Sequence, residues 1–75
     1  MVRTYYFCVR GSRSHRSHAP MFEEYYKVQC DAFLSAWRIV REKVPHGTIY
    51  ALNTDAEKRY KDKKFTLLSG ESGAL

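Results

Sequence analysis

The 75-residue sequence lacks long apolar runs. No segment approaches the roughly 18 consecutive apolar residues that a membrane-spanning helix requires, so we expect no membrane partner. An apolar signal-peptide core is also missing, because Arg3 leads directly into a strand-like segment. These absences predict a soluble, cytoplasmic protein. The composition, 44% hydrophobic and 28% charged, is that of a folded chain and not of a disordered one.

The usual sequence signatures of catalytic and cofactor sites are missing as well. The four glycines are scattered, and no GxGxxG, P-loop, HExxH or CxxC pattern occurs. These patterns would mark nucleotide phosphates, a hydrolytic zinc site or a redox pair. We therefore predict a protein that is not an enzyme and that holds neither a cofactor nor a metal.

Cysteine is scarce, with only Cys8 and Cys30. We expect both to be buried thiols that behave as small apolar side chains and could meet in the core. A disulfide between them is an open alternative. With His15 and His18 they would also make a zinc set by ligand type, but the C-x6-H-x2-H-x11-C spacing matches no usual finger or ribbon.

Acidic residues are absent from positions 1–20, which contain four arginines. The chain has thirteen basic and eight acidic residues and a net charge of +5. A second excess lies in residues 58–64, with five basic residues and one Asp. Two positive segments favour an anionic partner, either nucleic acid or an acidic face of a nucleic-acid-handling protein complex.

Apolar residues recur at spacings of three and four between Pro20 and Val44, which is the helical period. The members of this stripe are Phe22, Tyr26, Cys30, Phe33, Trp37, Val40 and Val44. They predict one long amphipathic helix, which Pro20 begins and Pro45 ends. About 24 helical residues span roughly 36 Å, more than a short strand covers. We expect a homodimer or a protein target to cover the overhang, and the alternative is that loops and the C-terminal tail fill the gap.

Three segments have the composition of strands, namely Val2–Val9, Thr48–Asn53 and Lys64–Leu68. Residues 54–60 form either a short helix, since Thr54 and Glu57 have capping-box spacing, or a hairpin loop.

The element order β-α-β-β predicts an α+β domain over residues 1–68, with the long helix on one face of a three-stranded sheet. A right-handed crossover makes the first two strands parallel and the third antiparallel to the second, and leaves the other face uncovered. Residues 69–75 are predicted to be a flexible tail.

The leading hypothesis is a non-enzymatic basic module that binds the backbone of RNA or DNA through Arg- and Lys-rich loops. Its expected binding residues are Arg10, Arg13, Arg16, Lys58, Arg59, Tyr60, Lys61, Lys63 and Lys64. Tyr60 would stack on a base. Candidates for a further interface are Tyr5, Tyr25, Trp37 and Ile39. The competing interpretation is that both loops are merely solvated.

In its element order, and in Gly47-Thr48 before the second strand, the chain resembles small phage or mobile-element accessory proteins, including some anti-CRISPR inhibitors. The resemblance implies an alternative, an inhibitor that docks on a nucleic-acid-handling complex, and it transfers no functional residue. A third hypothesis is a metal-independent ribonuclease of the small-toxin kind. Its candidate residues are His15, His18, Tyr50, Arg13 and Arg16.

Overall fold

The computed structural model describes residues 2–12 and 21–69, which form a four-stranded mixed sheet and two helices. The elements in chain order are β1 Arg3–Ser12, β2 Met21–Cys30, α1 Phe33–Lys43, β3 Thr48–Leu52, α2 Ala56–Arg59 and β4 Phe65–Ser69. The strand order is β3-β1-β2-β4. β1 is antiparallel to β2 and β3, and β2 is parallel to β4.

The predicted helix from Pro20 to Val44 is wrong over its first half. Residues 21–30 are β2, and the helix that follows contains only eleven residues. Phe22, Tyr26 and Cys30 are buried, but a spacing of four also returns to the same side of a strand, where the period is two. Val28, buried on the same face, completes that alternation.

The predicted architecture is corrected in the same way. The sheet has four strands instead of three, and the strands at Arg3–Ser12 and Thr48–Leu52 are antiparallel instead of parallel. The last strand pairs in parallel with β2 instead of antiparallel with β3. The three strands predicted from composition are nevertheless present, with their ends shifted. At about 16 Å, α1 is shorter than β1 and β2, so the predicted overhang that a homodimer or protein target would cover is absent.

The main core lies between α1 and one face of the sheet. Alternate residues of β1 and β2 point toward the helix, as the period of a strand requires. Phe7, Val9, Val28, Ala36 and Val40 are fully buried there. α1 has no side-chain N-cap, and the backbone N–H of Val44 closes its last turn on the carbonyl of Val40.

The opposite face, hereafter the second face, carries the other set of alternate residues. The prediction that this face is uncovered is wrong for part of it, because residues 53–64, the connection from β3 to β4, pack on it through α2 and Tyr60. Tyr50 and Leu67 on the same face are exposed. Cys8 and Tyr25 lie on this face and are both buried. Neither described helix has the length and apolar character needed to cross a membrane.

Two glycines allow a close backbone approach at one end of the β1–β3 pair. Gly47 has a φ of 109°, a conformation that side chains disfavour. A Cβ on Gly47 would lie 2.8 Å from the carbonyl oxygen of Arg10, and one on Gly11 would lie 2.7 Å from the Gly47 Cα. Arg41 reinforces this turn by donating to the carbonyl oxygens of Pro45 and Gly47, at 2.9 and 3.1 Å.

We expect Gly47→Ala to lower the free energy of unfolding by about 1–3 kcal/mol, because Ala is strained at this φ and its methyl meets backbone. Urea denaturation measures the change. The neighbouring exposed residue offers a control, His46→Ala, which should change stability by less than about 0.5 kcal/mol. Equal stability of Gly47→Ala and the unaltered chain would contradict this account of the turn.

Candidate functional site

An aromatic cluster occupies the second face, where β1, β2 and β4 meet the connection. The ring of Tyr25 lies 5.6 Å from that of Tyr60 and 5.4 Å from that of Phe65. Tyr6 also packs edge-on against Phe65, at 5.6 Å between centroids. Such ring pairs add roughly 0.5–1.5 kcal/mol beyond the area they bury. The cluster therefore fixes Tyr60 against the sheet.

A charged network borders this cluster. Glu23 lies directly across from Arg10 in the β1–β2 pair, and its Oε2 accepts a hydrogen bond from the Arg10 Nε. Its Oε1 accepts one from the Tyr25 hydroxyl at 2.9 Å. Lys63 Nζ lies 3.9 Å from the same oxygen and 5.9 Å from the centre of the Tyr25 ring. Glu23 therefore neutralises part of the positive charge that the sequence assigns to this region.

The environment of Tyr25 perturbs its ionisation. Burial, and then the hydrogen bond to Glu23, raises the pKa of Tyr25 from 10.0 to about 12. The same hydrogen bond, with Arg10 adding to it, lowers the pKa of Glu23. Because folding raises the Tyr25 pKa, the unfolded chain ionises first, so this residue's contribution to stability is present below pH 10 and is lost as the pH rises toward 12.

Glu57 attaches α2 to the second face. Its Oε1 accepts from the Tyr6 hydroxyl at 2.9 Å, and its Oε2 pairs with Lys27 Nζ at 3.1 Å. These contacts lower the pKa of Glu57, the Lys27 hydrogen bond most, and so keep it charged. Arg59 pairs with Asp55 one turn earlier, at 3.0 Å. The predicted capping box is absent, since α2 has no side-chain N-cap bond.

Three of the predicted binding residues, Lys58, Lys61 and Lys64, are exposed. Within residues 2–12 and 21–69 they form no ion pair, whereas Arg10, Arg59 and Lys63 do. The arginines predicted at positions 13 and 16 lie outside the described residues. Two of the five cations in the residue 58–64 segment, Arg59 and Lys63, are therefore partly neutralised by acids, and three are not, within the described part of the chain.

A cavity of about 260 Å³ lies on the second face. It is lined by Cys8, Arg10, Tyr25, Tyr50, Leu52 and Tyr60. Cys8 and Tyr25 are buried and form its floor, while Tyr50 is 48% exposed and stands at the rim. None of these six side chains is a carboxylate. The site therefore combines a cation, three phenol rings and a small apolar floor.

The predicted further interface does not form one surface. Tyr25 lies on the second face, whereas Tyr5 packs edge-on against Phe33 on the α1 face, at 5.9 Å between centroids. Ile39 is half-buried against the main core. Trp37 lies on α1, 37% exposed, with the Arg41 guanidinium 5.5 Å from its ring.

The two cysteines do not meet. Both are buried and unpaired, Cys8 on the second face and Cys30 on the α1 face, with the sheet between them. They cannot share a zinc ion, and the described part of the chain has no cluster of three or more potential metal ligands. Burial raises the pKa of the Cys8 thiol, which leaves it protonated and a poor nucleophile.

The ribonuclease hypothesis stays a prediction, because His15 and His18 lie outside the described residues. Tyr50, its third candidate, lines the cavity on the second face. His46 lines a different cavity, with Phe22 and Tyr26, on the α1 face.

Sequence reasoning missed the acids that organise the site. A helix over residues 20–44 would pair Glu23 with Lys27 one turn later, but in the sheet Glu23 pairs with Arg10 and Lys27 pairs with Glu57. The available signal was cross-strand complementarity, because antiparallel pairing of β1 with β2 places Arg10 opposite Glu23.

Comparison of the chain with known protein families, with curated proteins and with solved structures gives no match in any of the three.

We expect Glu23→Gln to lower the pKa of Tyr25 from about 12 toward 10, without reaching 10, because burial persists when the carboxylate is lost. A pH titration of tyrosine ring carbons by NMR measures this pKa. Glu42→Gln, which removes an exposed carboxylate from α1, is the matched control and should leave the titration unchanged. An unaltered Tyr25 titration in Glu23→Gln would show that the hydrogen bond has no such role.

Proposed function

We propose that the chain is a small basic, non-enzymatic module that binds the backbone of nucleic acid through the connection between β3 and β4. The observation that carries the proposal is the set of three exposed lysines, Lys58, Lys61 and Lys64, without ion pairs among the described residues. Unpaired ammonium groups that follow one another along a segment can neutralise successive phosphates and release their counterions.

Rigidity of the segment also supports the proposal. Glu57 and Tyr60 attach the connection to the sheet at both ends of α2, through the Tyr6 hydrogen bond and the Tyr25 ring contact. A positively charged segment that is already ordered loses less conformational entropy when it binds than a mobile loop does. The competing interpretation is that these lysines lie on a merely solvated loop. Attachment of the segment to the sheet distinguishes them from such a loop.

Aromatic side chains next to the lysines favour nucleic acid over other anions. Tyr60 is half-buried beside them, and Tyr50 is exposed on the same face. Tyrosine rings stack on unpaired bases, which combine a flat aromatic face with a neighbouring phosphate.

The proposal predicts a salt-dependent affinity that the three lysines control. The test uses a labelled single-stranded 10-mer and the variant Lys58→Ala/Lys61→Ala/Lys64→Ala. The negative slope of log K against log salt should become shallower by about 2 in this variant, at roughly 0.7 per lost phosphate contact. Fluorescence anisotropy at several salt concentrations measures the slope.

A triple variant on the other side of the sheet provides the control. Arg3→Ala/Arg38→Ala/Lys43→Ala removes the same charge from exposed positions on β1 and α1. It should leave most of the slope intact, since long-range charge contributes less than direct contact. If both triple variants lost the same amount of salt slope, net charge alone would explain the binding, and the three lysines would have no special role. No binding even at low salt would refute the proposed function.

The alternative proposal, an inhibitor that docks on a nucleic-acid-handling complex, has support of its own. α1 exposes Phe33, Leu34 and Trp37, with Arg41 over the Trp37 ring, and exposed Trp and Arg side chains are frequent anchors of protein interfaces. An affinity pull-down that recovers no protein, from cells that contain the chain, would count against it.

A further inference from the structure

We propose that the cavity on the second face binds one unpaired base of a single-stranded nucleic acid. This inference rests on the proposed function and deepens it, since it names the part of the ligand that enters the protein. Its starting observation is that Tyr50, from β3, and Tyr60, from the connection, line the same cavity although ten residues separate them.

The size of the cavity suits a single planar ring. Its volume is about 260 Å³, just below the roughly 300–1,000 Å³ of pockets that enclose drug-sized ligands. A base fits this volume, but a base with its sugar and phosphate has to extend through the opening. Tyr60, which lines the cavity, belongs to the residue 58–64 segment, so a strand whose base enters the cavity would have its phosphates toward the lysines of that segment.

The lining supplies what a base needs. Cys8 and Leu52 give apolar contact, and the phenol rings of Tyr50 and Tyr60 offer faces for stacking. Arg10 is the one charged residue among the six that line the cavity, and its Nε is held by Glu23. Its remaining guanidinium N–H groups can donate to base acceptors, and the Glu23 carboxylate that borders the lining is engaged by Arg10 and the Tyr25 hydroxyl.

The pocket would distinguish single strands from duplexes. Bases in a duplex are stacked and paired, and extruding one costs a few kcal/mol, whereas a single strand offers its bases freely. A module that uses only its lysines would bind either form, because both carry phosphates. Preference for single strands is therefore the property that separates base insertion from backbone contact alone.

The test is fluorescence anisotropy with labelled RNA and DNA 10-mers, each presented as a single strand and as a duplex. We expect Tyr50→Leu to weaken single-strand binding by about 5- to 150-fold, the range for one base–aromatic stack. Its salt slope should not change, because no phosphate contact is lost. Trp37→Leu, at an exposed aromatic residue on the α1 face, is the matched control and should bind like the unaltered chain.

A second measurement does not depend on how well the variants fold. Titration of the unaltered chain with uridine or adenosine 5′-monophosphate should shift the ring NMR signals of Tyr50 and Tyr60 and leave that of Tyr5, on the α1 face, in place. Equal affinities for the RNA and DNA single strands would support recognition of the base. A site that reads the sugar would prefer one of them, because only RNA has the 2′-hydroxyl.

The results distinguish base binding in the cavity from backbone binding by the lysines. If Tyr50→Leu binds like the unaltered chain while the lysine variant loses its salt slope, the cavity proposal is wrong and the backbone proposal stands. Equal affinity for duplex and single strand would likewise overturn the cavity proposal alone. If no oligonucleotide binds at low salt, both proposals fall.

Discussion

The structure depends on the antiparallel pairing of β1 with β2, ten residues against ten. The face of this pair toward α1 is mainly apolar, whereas the second face carries Tyr6, Cys8 and Tyr25 among polar and charged side chains. One face buries Phe7 and Val9 beneath α1, and the other buries Cys8 and Tyr25 beneath the connection from β3 to β4. An isolated hairpin is marginally stable in water, and the remaining elements are arranged to cover this one on both sides.

Coverage of the second face explains the position of the candidate site. The connection contains few apolar residues, so it is held by Tyr60 on the Tyr25 ring and by Glu57, which accepts from Tyr6 and pairs with Lys27. Positions that do not contribute to this attachment face solvent, and the exposed lysines occupy them. The same short connection leaves the space beside Tyr50 unfilled, which becomes the cavity. The positive segment and the aromatic cavity thus share one structural cause.

Features that depend on neighbouring residues in the chain could be predicted from the sequence, and features that depend on distant residues could not. The strands near residues 2–9, 48–53 and 64–68 were recoverable because β-branched and aromatic residues and nearby turn residues act locally. Residues 21–30 were not, because the spacing of Phe22, Tyr26 and Cys30 fits a strand as well as a helix. That error propagated to the strand order, since without β2 neither β1 nor β4 has its observed partner. Charge located the lysines, but the carboxylates of Glu23 and Glu57 act across strands and become visible only when the pairing is known.

The most direct test is NMR assignment of the backbone over residues 21–30, with a search for cross-strand contacts. The account predicts strand-type Cα shifts over this segment, and nuclear Overhauser effects that place Phe7 opposite Tyr26 and Val9 opposite Glu24. It also predicts helical shifts that begin only at Phe33. Helical shifts that run without interruption from residue 22 to residue 44 would contradict it, because the hairpin, both covered faces and the cavity would then be absent.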